Sequence, residues 1–287
     1  MKRKLRVVPS AAPLEPDLSI DPAETARLLS GFIRAEVERT GKRKVVVGLS
    51  GGIDSALAAA LAVEALGRAG VIAVMLPYRA SAPSSLRDAE AVVGRLGIVA
   101  EKIDISAMVD GFVLASGDPG PRRLGNVMAR ARMIVLYDRS AEHDALVLGT
   151  SNKTELLLGY GTLHGDMASA INPIGDLYKT QVVALATWLG LPRAVLTKPP
   201  SADLWPGQTD EKDLGVTYDE ADRIVALLVD ARVSPETIVR KGYPRKTVRR
   251  IARAIVGSQF KRCLPVIAKV STRSVGWDFR YPRDWHS

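Results

Sequence analysis

Cysteine and histidine are scarce in this chain, which has one cysteine and three histidines among its 287 residues. The single cysteine, Cys263, excludes an intramolecular disulfide bond and any metal cluster built from cysteine thiolates. Three histidines also argue against a metal site made of histidines. We therefore expect a function that does not depend on transition-metal chemistry, and we interpret Cys263 as a structural residue.

Long apolar runs are missing as well. The most Ala/Leu-rich stretch, 56–66, is interrupted by Glu64 and is shorter than the roughly 20 apolar residues that a membrane span requires. The N-terminus, MKRKLRVVPSAAPLEP, is basic but has no apolar core of the kind that signal peptides contain. We therefore expect a cytoplasmic protein that has no contact with a membrane.

Positive charge is in excess. Forty Lys and Arg residues stand against 31 Asp and Glu residues, which gives a formal net charge of +9. Such a charge suits a polyanionic ligand, and it would suit a nucleic acid equally well. Charge alone therefore does not separate a nucleotide from a polynucleotide.

Short apolar strands alternate with helices in the first half of the chain. The pattern predicts strands at 44–49, 71–76, 98–105 and 145–150, with helices between them at 54–66 and 84–96. This alternation predicts a doubly wound α/β fold with a mainly parallel sheet of five strands and helices on both faces. Helical periodicity over 217–256 adds a C-terminal helical segment. We interpret 159–176 and 198–215, rich in Gly, Pro and small polar residues, as loops over a site.

The most informative motif is GLSGGIDS, from Gly48 to Ser55, which lies between a predicted strand and a predicted helix. Gly51 and Gly52 would let backbone N–H groups approach phosphate oxygens, and the helix N-terminus adds its positive dipole end. Ser50 and Ser55 add hydroxyl donors. The motif thus predicts a pyrophosphate-binding loop, although a simple glycine-rich turn from strand to helix is the alternative.

Asp54 indicates how the loop would handle phosphate. A Walker A loop requires a lysine that this motif lacks. A carboxylate just inside the helix is poorly placed to touch phosphate, but it is well placed to hold a magnesium ion that does. The alternative is that Asp54 is only an acidic residue of the first helical turn.

GLSGGIDS resembles the loop of the ATP pyrophosphatase superfamily, also described as adenine nucleotide alpha hydrolase-like, whose members adenylate a substrate. This loop does not choose among the members, but five further segments do. They are GNVMARARM (125–133), LGTSNKTE (148–155), GYGTLHGDMASAINPIGDLYKTQV (159–182), KPPSADLWPGQTDEKDLGVTYDEAD (198–222) and FKRCLP (260–265). All five resemble NAD synthetases and occur in one colinear order.

The resemblance implies an activity and an organisation. The activity is ATP- and Mg²⁺-dependent amidation of deamido-NAD (nicotinic acid adenine dinucleotide) by ammonia, which gives NAD, AMP and pyrophosphate through an acyl adenylate. The family functions as a homodimer. A single domain would span 1–287, with a flexible arm over about 1–20, an ATP-binding core over 21–200, and a loop, helical segment and tail over 201–287.

The resemblance also assigns roles to individual residues. Asp54, Lys179 and Asp166 would be catalytic, and Asp54 and Glu155 would bind the metal. The dinucleotide would contact Arg130, Asp166 and Lys261, whereas Arg132, two residues along the same predicted helix, would face elsewhere and be structural. ATP would contact Gly48, Leu49, Ser50, Gly51, Gly52, Ile53, Asp54, Ser55, Arg79, Thr150, Lys179 and Ser201. For Glu155 the alternative is a helix-capping charge, with Thr150 or Ser151 as the cap.

Two features bear on the details of the reaction. Glutamine-dependent relatives carry an N-terminal amidohydrolase domain with a catalytic cysteine, whereas about 40 residues precede the first predicted strand here. We therefore expect free ammonia as the direct nitrogen source, supplied by a separate glutaminase if glutamine is used. The loop over 159–176 has Leu163 and Ala170 where well-described bacterial members have lysine and aspartate, so this resemblance leaves contacts to the pyridine carboxylate open.

Two other function classes fit parts of the sequence. An RNA-modifying adenylating enzyme would suit the charge of +9, but such enzymes normally carry an RNA-binding domain or a CxxC pair. A non-catalytic nucleotide-binding regulator would be expected to lose Asp54 or Glu155, and both are present. Nucleic-acid binding and a purely regulatory role are therefore less well supported than catalysis.

Overall fold

A four-stranded parallel sheet forms the centre of the protein. The computed structural model describes residues 15–201, 203–205, 207–263 and 265–274. The strands are β1 (Lys44–Gly48), β2 (Val71–Met75), β3 (Val99–Lys102) and β4 (Ala145–Leu148), arranged in the order β3-β2-β1-β4. From β1 the chain proceeds to one side through β2 and β3, and β4 then pairs with the other side of β1. The C-terminal ends of β1 and β4 therefore flank a topological switch point, where α/β sheets bind ligands.

The prediction of a five-stranded sheet is wrong for the described residues. The chain after β4 returns to the sheet edge only at an isolated bridge between Leu148 and Ile171. Two hydrogen bonds accompany it, from Gly149 N to Ile171 O (2.7 Å) and from Ala170 N to Val147 O (2.9 Å). Pro173 follows almost at once, and its missing N–H prevents the segment from extending into a fifth strand.

Twelve α-helices occur in the described part of the chain. They are α1 (Pro22–Arg39), α2 (Ile53–Leu66), α3 (Pro83–Leu96), α4 (Ser106–Ser116), α5 (Gly120–Glu142), α6 (Lys153–Leu158), α7 (Lys179–Trp188), α8 (Arg193–Thr197), α9 (Asp210–Leu214), α10 (Tyr218–Val229), α11 (Pro235–Arg240) and α12 (Arg245–Gly257). Short 3-10 turns cover Arg68–Gly70 and Gln259–Arg262. The predicted helical segment is confirmed as α10 to α12, whereas α9 corrects the prediction that all of 198–215 is loop.

Both faces of the sheet are covered by helices. Val45 and Val47 of β1 belong to the hydrophobic core formed with α1, α2 and α7, whereas Val46 faces a second core with α4 and α5. This arrangement explains why the strand is apolar at successive positions. A third core holds α10, α11 and α12 together around Ile224 and Ile238. The helical segment thus packs as a unit beside the doubly wound sheet.

The chain ends bear on two further predictions. The carbonyl of Leu18, inside the predicted arm, accepts a hydrogen bond from Gln181 Nε2 at 3.1 Å, and residues 1–14 lie outside the described residues. The predicted C-terminal tail has no strand within 265–274, and its FRYPRDW end lies outside the described residues. None of the helices described here is long and apolar enough to cross a bilayer.

Candidate active site

A deep cleft opens at the C-terminal edge of the sheet, beside the switch point. Its volume is about 1480 Å³, which is large enough for two nucleotide-sized ligands. Most of the residues assigned from sequence line it, namely Gly48, Leu49, Ser50, Gly52, Ile53, Asp54, Ser55, Arg130, Thr150, Glu155, Asp166, Lys179, Ser201 and Lys261. The structure therefore brings together residues that lie more than 200 positions apart in sequence.

The loop after β1 has a shape that depends on Gly51. This residue has φ of +76°, and a Cβ atom there would lie 2.1 Å from the carbonyl oxygen of Ser85 on α3. Hydrogen bonds inside the loop fix the rest of it: the Ser50 and Ser55 hydroxyls are 3.1 Å apart, and Gly52 N donates to Ser50 Oγ at 3.2 Å. The loop leads directly into α2, whose N-terminus faces the cleft. Such a loop presents backbone N–H groups and a helix dipole to an anion.

Lys179 connects two carboxylates on opposite sides of the switch point. Its Nζ atom pairs with Asp54 at the start of α2 and lies 3.6 Å from Glu155 Oε1 on α6. All three side chains are largely buried, and the lysine is 3% exposed. Asn152, just before α6, donates from Nδ2 to Asp54 Oδ1 at 2.9 Å. The loops after β1 and β4 are therefore joined by one charged cluster.

The charges in this cluster depend on one another. Burial opposes the charged form of Lys179, but the Asp54 and Glu155 carboxylates outweigh it and raise the pKa of the lysine. Burial, followed by the charge of Asp54, raises the pKa of Glu155. Lys179 thus stays cationic and holds together two carboxylates that would otherwise repel each other.

Glu155 also has the helix-capping role that the sequence suggested as its alternative. The cap is Asn152 rather than Thr150 or Ser151: Glu155 N donates to Asn152 Oδ1 at 2.9 Å, and Asn152 N donates to Glu155 Oε2 at 3.2 Å. This capping box fixes the direction of the carboxylate. The other carboxylate oxygen, Oε1, faces Lys179. The two interpretations of Glu155 are therefore compatible.

Three site residues were not singled out from the sequence: Asn152, Asp210 and Tyr218. Asp210 is buried at the start of α9 and accepts hydrogen bonds from the hydroxyls of Tyr160 (2.9 Å) and Tyr218 (3.0 Å). The Lys179 ammonium lies 5.1 Å from the centre of the Tyr218 ring. Burial raises the pKa of Asp210, whereas Lys179 and the two tyrosines oppose that rise. Tyr218 lies in the TYDEAD segment, eight residues after Asp210, whereas Tyr160 and Lys179 are remote from this segment in sequence.

The other end of the cleft holds the residues assigned to the dinucleotide. Asp166 accepts a hydrogen bond from Thr162 N at 2.7 Å, and Arg130 Nη2 donates to the carbonyl of Leu163 at 3.1 Å. Lys261 reaches in from the C-terminal segment and donates to carbonyls of the same loop. The side chain of Asp166 is open to the cleft, and loss of hydration there raises the pKa of its carboxyl group. The 159–166 loop thus carries one acidic group, Asp166, and is contacted by two cations, Arg130 and Lys261.

Arg132 follows Arg130 by two residues on α5 and contacts a backbone carbonyl. Its Nε atom donates to the carbonyl of Leu76 at 3.0 Å, a structural contact of the kind expected. Both Arg130 and Arg132 nevertheless line the cleft. The inference that only one of them faces a given ligand stays a prediction, because a cleft large enough for two ligands can be lined by both.

Arg79 and Ser201, both assigned to ATP from the sequence, differ in their position relative to the cleft. Arg79 is exposed and pairs with Asp110 Oδ2 at 2.7 Å, and the cleft wall, as far as the structure describes it, does not include Arg79. Its proximity to β2 in sequence does not bring it to the phosphate loop. Ser201 does line the cleft, where its hydroxyl accepts a hydrogen bond from Asp203 N at 3.1 Å.

Comparison with known proteins is consistent over nearly the whole chain. Residues 25–265 match the family model for NAD synthase. An NH(3)-dependent NAD(+) synthetase of Chlorobium phaeovibrioides is 54% identical over 269 residues, which cover 94% of this chain and 97% of the relative. Identity at this level over nearly the full length of both chains shows a common family.

Solved structures give the same result. An NH3-dependent NAD synthetase from Campylobacter jejuni has a TM-score of 0.75 and 35% identity, covering 88% of this chain and all of the other. An NMN synthetase from Francisella tularensis has a TM-score of 0.77 and 33% identity, covering 87% and 99%. The switch-point cleft, the glycine loop and the sequence similarity agree, and the chain belongs to the NAD synthase family.

Proposed function

We propose that the chain amidates deamido-NAD with ammonia and ATP, giving NAD, AMP and pyrophosphate. The single observation that carries this proposal is the Asp54, Lys179 and Glu155 cluster beside the glycine loop. With a bound Mg²⁺ this cluster would suit a polyphosphate, and Arg130 and Lys261, the two cations beside the 159–166 loop, suit a second anionic ligand in the same cleft. The names of the relatives supply ammonia as the nitrogen donor.

In the first step the substrate carboxylate attacks the α-phosphorus of ATP. A carboxylate oxygen forms a bond to phosphorus, the bond between this phosphorus and the bridging oxygen breaks, and pyrophosphate leaves. The backbone N–H groups of the Gly51 loop and the α2 N-terminus bind the phosphates. Lys179 supplies positive charge for the pentavalent phosphorus and the departing pyrophosphate. No side-chain nucleophile is required, because the enzyme acts by positioning and neutralising charge.

In the second step ammonia attacks the carbonyl carbon of the acyl adenylate. The bond to AMP then breaks, and the new amide nitrogen must lose a proton. Asp166 is our candidate for the group that accepts it, because its carboxyl is accessible from the cleft and its pKa is raised by loss of hydration. Arg130 and Lys261, which lie beside the same loop, would hold the dinucleotide.

The donor set of the cleft fits Mg²⁺. Mg²⁺ is usually bound by one or two carboxylates together with substrate phosphates. Asp54 and Glu155 provide two carboxylates that both face the Lys179 ammonium, so this ammonium would have to move aside for the two carboxylates to share one ion. Within the described residues no group of three or more acidic, His or Cys side chains forms a metal site, so phosphate oxygens would have to complete the shell. A bound Mg²⁺ would neutralise charge on the phosphates.

Glu155→Gln tests the assignment of the metal ligands. Removing the charge of one carboxylate while keeping its shape should raise the Mg²⁺ concentration needed for half-maximal ATP binding by about tenfold. Calorimetric titration of the protein and ATP with Mg²⁺ measures this directly. Glu64→Gln on α2 removes the same charge outside the cleft and serves as the control. Equal Mg²⁺ dependence of the two variants would contradict the assignment.

The proposed activity is tested by following NAD and AMP together in reactions with ATP, ammonium and deamido-NAD. Equal amounts of the two products are expected. The corresponding mononucleotide should be a much poorer substrate, and it is the important comparison because an NMN synthetase is among the structural relatives. Faster turnover of the mononucleotide, or AMP formation that requires RNA instead, would overturn the proposed substrate.

Glutamine should not replace ammonium. The exposed thiol of Cys263 has Gln259 Nε2 as a neighbour at 3.4 Å, and no described histidine contacts it, so it lacks the base that a glutaminase nucleophile needs. We expect Cys263→Ser to keep its ammonium-dependent rate within about twofold of the parent, since the residue is exposed. If the parent forms NAD from glutamine and Cys263→Ser does not, this interpretation is refuted.

We also propose that the chain forms a homodimer through α4 and α5. Met108 and Phe112 lie one turn apart on α4, Ile134 and Tyr137 lie one turn apart on α5, and all four are exposed. Grouped exposed apolar side chains are typical of protein interfaces. The helix α5 also carries Arg130, so pairing at this surface would bring two clefts near the interface.

Light scattering after size-exclusion chromatography tests the dimer. The parent should have twice the mass of one chain, and the double variant Phe112→Glu/Ile134→Glu should have the mass of one chain, because four charges would face each other across the interface. Val256→Glu adds a charge at an exposed apolar position on α12 and should remain a dimer. A dimeric double variant would place the interface elsewhere.

A further inference from the structure

The guanidinium group of Arg262 binds the ends of two helices at once. Nη1 donates to the carbonyls of Leu156 (2.8 Å) and Leu157 (3.0 Å) in the last turn of α6, and Nη2 donates to the carbonyl of Ile255 (2.6 Å) near the end of α12. The last carbonyls of a helix lack partners within it and carry the negative end of its dipole. A planar cation with several N–H groups therefore suits this position better than any other side chain.

The same junction is packed too closely to shift. Gly159 ends α6 with φ of +68°, and a Cβ atom there would lie 2.2 Å from Cβ of Ser258, the residue that follows α12. Ser258 Oγ donates to the carbonyl of Leu157 at 3.1 Å and accepts from Arg262 Nη1 at 2.7 Å. Arg262, Ser258 and Gly159 thus form a rigid joint between α6 and the 3-10 turn Gln259–Arg262.

Lys261 projects from this joint into the cleft. Its Nζ atom donates to the carbonyls of Gly159 (2.8 Å) and Gly161 (2.6 Å). An ammonium group has three N–H donors, so one donor and the positive charge stay available to a ligand. Successive residues of a 3-10 turn point about 120° apart, which explains how Lys261 faces the cleft while Arg262 faces the helix ends.

We infer that Arg262 is a positioning residue, which fixes Lys261 for the anionic dinucleotide without touching the substrate itself. The inference rests on the proposed function, in which Lys261 contacts the dinucleotide. It follows from the geometry because Arg262 locates the turn that carries Lys261 against α6, the helix that also carries Glu155. Arg262 thereby fixes the position of Lys261, at the dinucleotide end of the cleft, relative to Glu155 at the ATP end.

The inference predicts a selective loss of dinucleotide binding. Arg262→Gln should raise both the KM and the Kd for deamido-NAD by about tenfold or more, as expected when a charge-assisted contact is no longer held in place. KM for ATP and kcat should change by less than about threefold. Arg262→Lys keeps the charge but not the planar fork, so it should lie between Arg262→Gln and the parent. Arg253→Gln, on the exposed face of α12, is the charge-matched control.

A double-mutant cycle separates positioning from a general loss of stability. If Arg262 acts through Lys261, then Lys261→Met/Arg262→Gln should bind deamido-NAD no more weakly than Lys261→Met alone. Additive losses, or equal rises in KM for both substrates, would overturn the inference. If Arg262→Gln does not fold, Arg262→Lys enters the same cycle, and an unchanged dinucleotide Kd in that variant overturns it. The proposed function itself fails separately, through absence of NAD formation by the parent.

Discussion

Replacing Lys179 by methionine should lower kcat by about 10²- to 10³-fold, because preorganised charge at a reacting phosphoryl group is a large part of catalysis of this kind. Methionine has a similar length and fits the same buried space. It removes the cation that pairs with Asp54 and lies 3.6 Å from Glu155. The two carboxylates then face each other without compensation, and Asp210 also loses a favourable charge. Both ATP binding and transition-state stabilisation should suffer.

The readouts for Lys179→Met are kcat for AMP formation and the thermal unfolding temperature. Lys153→Met is the matched control, since Lys153 on α6 pairs with Asp176 (3.1 Å) and Asp230 (3.0 Å) outside the cleft. It should lose some stability and keep its kcat within about threefold. A Lys179→Met enzyme that turns over at the rate of Lys153→Met would show that the cluster is only structural.

The strand, loop and helix around Gly48–Ser55 could be predicted from the sequence because every signal there is local. A β-branched run, paired glycines and an Ala-rich helix follow one another without a gap, and the structure places β1 and α2 within one residue of these limits. Asp54 was correctly placed just inside the helix for the same reason. Local pattern and tertiary structure agree in this segment.

Other parts of the site depend on contacts that no local pattern contains. Asp210 is recognised as a site residue through its hydrogen bond with Tyr160, 50 residues away. Asn152 is recognised through its hydrogen bond with Asp54, 98 residues away. Arg79, which the resemblance assigned to ATP, forms an ion pair with Asp110 on α4 and is not part of the cleft wall that the structure describes, so its contact with ATP stays a prediction. The prediction of five strands exceeded the four ranges that the sequence pattern located, and beside β4 the structure has only the isolated bridge between Leu148 and Ile171.

Gly51→Ala should strongly destabilise the protein and impair ATP binding. A left-handed backbone costs a residue with a side chain about 1–2 kcal/mol, and forced overpacking costs about 1–3 kcal/mol more. At Gly51 both apply, because φ is +76° and the new Cβ would lie 2.1 Å from a backbone oxygen that cannot rotate away. The loop or the start of α3 must move, so phosphate binding should be lost together with stability.

The disturbance should also reach the far side of the cleft. The carbonyl of Ser85 is the group that the new Cβ would overlap. The hydroxyl of the same residue donates a hydrogen bond to Asp203 Oδ2 at 2.9 Å and accepts one from Lys198 Nζ at 3.1 Å. A shift at the start of α3 therefore weakens the contacts that hold the 198–201 segment over the cleft. Gly51→Ala should consequently reduce ATP affinity by more than the loss of one phosphate contact.

Two other glycines, Gly52 and Gly94, serve as controls for this prediction. Gly52 has φ of −92°, and a Cβ atom there would meet only Ser50 Oγ at 3.2 Å, so Gly52→Ala should unfold close to the temperature of the parent. Gly94, inside α3, has open space around it, and Gly94→Ala should stabilise the protein by about 0.5–1 kcal/mol. Thermal unfolding with and without ATP measures all three. If Gly51→Ala unfolds at the same temperature as Gly52→Ala and binds ATP as tightly as the parent, the loop does not need its left-handed residue, and some other part of the cleft must bind the phosphates.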